Sequence, residues 1–129
     1  MRREKGHRMI CYHSTKKENV ESILTNGFKR SIDGEFGAVL YLSLNKDFSK
    51  FYGDALIICE IDDSNITNIY LSELDKIKRI NTYEVYKDKY VKCMNVLLRN
   101  DKSFEVIVFD VNVVRVLDIQ YKAKVQIIN

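Results

Sequence analysis

The sequence predicts an α+β fold built around a largely antiparallel sheet. Helix-like and strand-like segments are mixed without the regular strand–helix–strand alternation that a parallel sheet requires. The C-terminal part then offers three strand-like runs in succession, "FEVIVFDV", "VVRVLDI" and "YKAKVQII", with no helix between them. The 129 residues, 46% hydrophobic and 30% charged, suit one ordered domain with one core. Proline is absent, and no Gly/Ser-rich linker, repeat or low-complexity run divides the chain. Residues 1–129 therefore read as a single domain, with 1–7 as a flexible basic tail.

The elements follow in order. "RMICYHS" (8–14) is a short strand ending at a histidine. "KKENVESILTN" (16–26) is a helix with Val20, Ile23 and Leu24 on one side. Thr15 and Glu18 have the spacing of a capping box, and Gly27 stands where a glycine closes a helix. "KRSIDGEFG" (29–37) is a loop and "AVLYLS" (38–43) a strand. "NKDFSKFYG" (45–53) reads as a short helix capped by Asn45, with Phe48, Phe51 and Tyr52 on one face and Gly53 at its end. "DALIICEID" (54–62) is the next strand. The stretch 64–82 is ambiguous, with a strand near "NIYLS" and then a helical turn as its simplest reading. "YEVYKDKYVKCMNVLL" (83–98) is predicted helical, because Tyr86, Tyr90, Cys93, Met94 and Leu97 fall roughly in phase.

Several function classes are excluded early. No apolar run approaches the ~20 residues that cross a bilayer. The basic start "MRREKGHRM" is followed by a stretch too short and too polar for a signal peptide, so a cytoplasmic location is expected. Cys11, Cys59 and Cys93 stand singly in apolar surroundings, which predicts reduced, buried thiols and no metal site. The net charge of +3 is too mild to make the chain a nucleic-acid binder by itself. Arg2, Arg3, Lys5 and Arg8 are best read as a solvated terminus. No phosphate-binding glycine loop, dinucleotide fingerprint or Ser-His-Asp signature is present.

Three places carry candidate chemistry. His13 ends a strand just before a Ser-Thr pair that opens a helix, where donors gather for a polar or anionic ligand. The plainer alternative is that Ser14 and Thr15 cap the helix and His13 satisfies a loop carbonyl. Tyr41 on a strand and Tyr52 on the following helix have the placement to sandwich a flat ring, although core packing explains tyrosines equally well. Glu105 is the odd residue of "SFEVIVFDV" (103–111). It shares a face with Ile107 and Phe109, while Phe104, Val106 and Val108 take the other. It is either an exposed edge residue paired with a lysine, worth ~0–1 kcal/mol, or a carboxylate aimed into a cleft.

Taken together, the order of these pieces resembles the catalytic domain of the poly(ADP-ribose) polymerase-like, diphtheria-toxin-type ADP-ribosyltransferases, marked by a His-Tyr-Glu triad on three strands of a split sheet. "CYHSTKKENVESILTNGF" resembles the first motif, "EFGAVLYLSLNKDFSKFYG" the second and "FEVIVFDVNVVRVLDIQYKAKV" the third. The resemblance covers roughly half the chain and leaves 64–100 unmatched. It implies a split, largely antiparallel ADP-ribosyltransferase fold with short flanking helices. It also implies that His13 holds a ribose hydroxyl of NAD, and that the backbone of Ser14, where the family usually has glycine, meets the nicotinamide amide. Ser49 would bond that amide, Tyr41 and Tyr52 would stack on the ring, and Glu105 would bind the ribose 2′-hydroxyl and stabilise the oxocarbenium-like transition state. Val39 stands where the family motif has its second glycine.

The implied activity is NAD-dependent mono-ADP-ribosyl transfer to a macromolecular acceptor, protein or nucleic acid, with NAD as co-substrate, no metal and no membrane partner. A compact bacterial or phage toxin or effector suits so small a domain. The alternatives are an RNA 2′-phosphotransferase-like enzyme, which shares the fold and uses NAD, and a non-catalytic module binding NAD or ADP-ribose.

Overall fold

A computed structural model describes residues 6–46 and 53–122. Among them, seven strands form two sheets. Strands β1 (Arg8–Thr15), β3 (Ala55–Asp62) and β7 (Arg115–Tyr121) make an antiparallel sheet in the order β1–β3–β7. Strands β2 (Leu40–Leu42), β6 (Ser103–Val108), β5 (Cys93–Leu97) and β4 (Ile66–Tyr70) make the second, in the order β2–β6–β5–β4. Only the β4–β5 pair is parallel. Among the described residues three short α-helices flank the sheets, α1 (Lys17–Asn26), α2 (Leu71–Lys76) and α3 (Thr82–Tyr86). The α+β class with mostly antiparallel pairing is as the sequence predicts, and no helix among the described residues is long and apolar enough to cross a membrane.

The two sheets meet at one point. Tyr12 on β1 donates its N–H to the Ser43 carbonyl at 2.8 Å, and Ser43 returns the bond at 3.0 Å. Successive strand residues point to opposite faces, so the consecutive apolar residues of β5 and β6 are buried on both sides of the second sheet, while β4 at its edge is more exposed. Leu40, Leu42, Val106 and Val108 enter one cluster with Cys11, Ile57, Cys59 and Ile61 of the first sheet. Ile107, Met94, Val96 and Phe109 enter another with Phe36 and Leu74. Each such side chain contributes ~1.5–3 kcal/mol when fully buried. All three cysteines are free and buried, and burial pushes the Cys11 and Cys93 thiols up to about 12.

The structure corrects several local expectations. The helix predicted over 83–98 is only α3, and Cys93, Met94 and Leu97 lie in β5. Tyr90 between them is fully exposed at φ 59, a left-handed turn that no helix passes through. A short apolar run flanked by two strands is held by pairing on both edges, and that tertiary context outweighs helical phase. The capping box does not form, because Thr15 is still in β1 and Lys16 is the N-cap. The Lys17 N–H instead goes to the Asp54 carboxylate at 2.7 Å, and the Thr15 hydroxyl accepts from the Asn19 side chain at 3.2 Å. Gly27, at φ 80, does close α1, with its N–H on the Ile23 carbonyl. Val20 is buried and Ile23 half-buried, but Leu24 turns out to solvent, so the apolar side of α1 is narrower than its pattern. The strand expected over 38–43 shrinks to Leu40–Leu42. Phe48, Ser49, Phe51 and Tyr52 of the helix expected at 45–53, and most of "YKAKVQII", lie outside the described residues.

Candidate active site

His13 sits where β1 and β2 part. Its Nδ1 lies 3.2 Å from the Tyr41 carbonyl oxygen, and its ring stands edge-on to Phe28, centroids 5.3 Å apart. A carbonyl oxygen can only accept, so Nδ1 carries the proton and Nε2 of the neutral ring is left as an acceptor. Burial lowers the imidazole pKa, outweighing the Tyr41 carbonyl bond that raises it, and the neutral form is favoured.

This imidazole acts as a wedge. Tyr12 uses its backbone groups on Ser43, and alternation along an extended strand turns those of Ser14 toward β2 as well. In a continuous sheet Ser14 would pair with Tyr41. Here the His13 side chain takes the Tyr41 carbonyl, and the Ser14 N–H and C=O have no backbone partner across the split among the described residues. The Ser14 side chain goes elsewhere. With Leu56, Gln120 and Lys122 it lines a separate cavity of about 390 Å³, and its hydroxyl is buried without a hydrogen bond among the described residues. Gly53 packs against the Thr15 backbone at the end of this strand, so closely that a Cβ would stand 2.5 Å from the Thr15 carbonyl carbon.

Tyr41 is fixed at both of its ends. Its carbonyl holds His13, while its hydroxyl accepts the Phe36 N–H at 2.8 Å and donates to the Gly37 carbonyl at 3.1 Å. The ring lies 6.3 Å from that of Phe36, and Gly34 packs on its hydroxyl end, where a Cβ would stand 2.8 Å from Cζ. Burial raises the phenol pKa, the Phe36 N–H opposes that, and the nearby Glu105 and Glu35 charges raise it further.

Glu105 occupies a β-bulge. Val96 of β5 faces Glu105, but Leu97 faces Ser103, so β6 has one residue too many at Phe104. Such a bulge re-aims side chains and breaks strict alternation. Phe104 therefore does not follow Val106 and Val108, as the sequence pattern predicts, but meets Phe36 edge-on, centroids 6.2 Å apart. On the other edge, Leu42 faces Val106, and the same register sets Glu105 across from Ser43. Phe104 and Glu105 both line an open cleft of about 820 Å³ with Glu35, Lys46 and Lys102. The Glu105 carboxyl is partly buried and makes no hydrogen bond or ion pair among the described residues. Burial, and then the charge of Glu35, push its pKa up to about 7. The exposed, lysine-paired alternative does not describe this residue.

The structure thus sets His13, Tyr41 and Glu105 on the neighbouring strands β1, β2 and β6. His13 and Tyr41 are bonded, and Tyr41 and Glu105 interact electrostatically. Neither His13 nor Tyr41 lines the large cleft itself. Ser49 and Tyr52 lie outside the described residues. Glu35, whose charge acts on Glu105, and Arg79, which donates to Glu35, are neighbours of the candidate site that sequence reasoning missed. Glu35 sits inside "EFGAVLYLS" and had a signal in that proximity; Arg79 lies in unmatched sequence and had none. Among the described residues, no three His, Cys, Asp or Glu side chains gather as a metal site. Compared with models of known protein families and with curated proteins, the chain matches none.

Proposed function

We propose that this chain is an NAD-consuming mono-ADP-ribosyltransferase of the His-Tyr-Glu, poly(ADP-ribose) polymerase-like type, with the split-sheet ADP-ribosyltransferase fold. The observation that carries the reading is Glu105, a partly buried carboxylate without a partner among the described residues, presented by a bulge on the strand beside Tyr41. A buried acid left unpaired costs stability and calls for a compensating role. The His13 wedge supports the same reading, because it leaves an imidazole acceptor and the two backbone groups of Ser14 at the split.

The chemistry asks little more of the chain. His13 Nε2 accepts from a ribose hydroxyl of NAD, and the Ser14 N–H and C=O hold the nicotinamide amide, joined by Ser49. Tyr41 and Tyr52 would take the two faces of the ring, as the family resemblance implies. The glycosidic C–N bond breaks with its electron pair leaving on nicotinamide, and positive charge develops on the ribose. Ionised Glu105, bonded to the 2′-hydroxyl, lies near that charge, and its stabilisation is electrostatic. The acceptor oxygen or nitrogen then bonds the anomeric carbon and loses a proton, which the Glu105 carboxylate can take. Val39, where the family motif has glycine, packs fully buried in the core and away from solvent, so it narrows no open surface.

The acceptor is a protein or nucleic acid met in the cytoplasm. Nicotinamide release from NAD by wild type and Glu105→Gln tests the reading, with labelled NAD and a cell lysate revealing the acceptor. Loss of release in the variant is expected. Equal rates, or none from wild type with a range of acceptors, would refute it. Release of a cyclic phosphate from 2′-phosphorylated RNA would instead identify a phosphotransferase.

A further inference from the structure

Residues 79–83 belong to none of the motifs that carry the resemblance, yet they reach the candidate site. The Arg79 guanidinium grips both oxygens of Asp75, Nε to Oδ1 at 2.8 Å and Nη2 to Oδ2 at 3.1 Å, and also donates through Nη1 to Glu35. Its Cζ stands 5.9 Å from the ring centre of Phe36 and 5.7 Å from that of Phe104. Nearby, the Tyr83 N–H donates to the Phe36 carbonyl at 3.1 Å. Gly37, at φ 86, lies so close that a Cβ would stand 3.1 Å from both the Ile80 carbonyl and the Tyr83 Cβ. The loop docked in this way is the one whose Phe36 N–H and Gly37 carbonyl hold the Tyr41 hydroxyl.

We infer that Arg79 is a positioning residue of the site, which clamps the Glu35–Gly37 loop onto Tyr41 and neutralises Glu35 beside Glu105. The inference deepens the proposed activity and rests on that reading for its role, although the contacts stand without it. A planar guanidinium suits the task, since its fork can serve two carboxylates while its face lies on aromatic rings. Among the described residues, the charged or titratable groups around Glu105 are Glu35, the Tyr41 hydroxyl, and Lys46 and Lys102 of the shared cleft. Those on Arg79 are Glu35 and Asp75. Neither lysine is ion-paired to Glu35 or Glu105 among the described residues, and Arg79 is the cation bonded to Glu35. Without it Glu35 becomes a bare anion, and Glu105 gives up its proton at higher pH.

The test is the carboxyl titration of Glu105 followed by NMR in wild type, Arg79→Gln, Glu35→Gln and the double variant, without NAD. Arg79→Gln is expected to raise the midpoint by about one unit, and Glu35→Gln to lower it. The double variant should titrate like Glu35→Gln alone. Simple loosening of the loop would hydrate Glu105 and lower its midpoint, and removing Glu35 would not reverse that. An unchanged or lower midpoint in Arg79→Gln, or a raised one that survives in the double variant, overturns the inference. If Arg79→Gln does not fold, Glu35→Gln alone decides, and an unchanged midpoint there is equally fatal. Absence of NAD turnover would defeat the transferase reading and leave this result as measured.

Discussion

Replacing Glu105 by Gln should make the protein more stable, and increasingly so as pH rises. The carboxyl is shifted from its usual 4.5 to about 7 by burial and by Glu35, so the folded protein holds a proton that the unfolded chain has already released. Between those two values the native state binds more protons than the unfolded state, and stability therefore falls as pH climbs through the window. Below 4.5 both states are protonated and no penalty exists; above 7 the penalty is complete. A carboxyl moved from 4.5 to about 7 carries a penalty of about 3 kcal/mol before solvent screening, at about 1.36 kcal/mol for each tenfold change in proton affinity. The residue opens onto the cleft, where solvent screens it, so about 1–3 kcal/mol is the working expectation. Urea denaturation of both proteins at pH 4 and pH 8 isolates the effect, since other titrating groups cancel in the difference. The gain of the variant over wild type should be near zero at pH 4 and about 1–3 kcal/mol at pH 8. A difference that does not change with pH would show that Glu105 is a solvated residue, and the reasoning about the site would fail with it. Activity should move the opposite way, rising with pH through about 7 as the carboxylate forms, and the variant should lack it.

Two further substitutions test the framework around that acid. Tyr41→Phe removes the hydroxyl that joins the Phe36 N–H to the Gly37 carbonyl, and should cost about 1–2 kcal/mol in chemical denaturation; a loss of under a few tenths would show that the loop is held without it. Gly53→Ala places a methyl 2.5 Å from the Thr15 carbonyl carbon, forcing backbone apart at about 2 kcal/mol or more. That corresponds to a fall of roughly 5–10 °C in Tm, and an unchanged Tm would mean the close approach is not required.

How far the sequence disclosed this site depends on what kind of signal each part leaves. Helix α1 announced itself through Gly27 and the burial of Val20, which are local and survive any tertiary context. Strand β5 did not, because five residues buried on both faces look alike in a helix and a strand until their neighbours are known. The capping box failed for a related reason: β1 runs on through Thr15, and Asp54, thirty-seven residues beyond Lys17, supplies the capping carboxylate.

Glu105 was visible as a misfit in an apolar strand, but the cause of its behaviour was not. The bulge that turns Phe104 toward Phe36 is created by a register shift against β5, and register is a property of two strands. The charge that perturbs Glu105 comes from Glu35, seventy residues away in sequence, and Arg79, which belongs to none of the quoted motifs, holds it. His13 makes the same point from the opposite direction. Its alternative role, satisfying a loop carbonyl, and its proposed role in binding are not rivals. The carbonyl it satisfies belongs to Tyr41, and by taking it His13 keeps β1 and β2 apart. One hydrogen bond thus fixes the ring's tautomer and leaves Ser14's backbone without a partner across the split among the described residues, so the structural contact and the proposed binding role come from the same geometry.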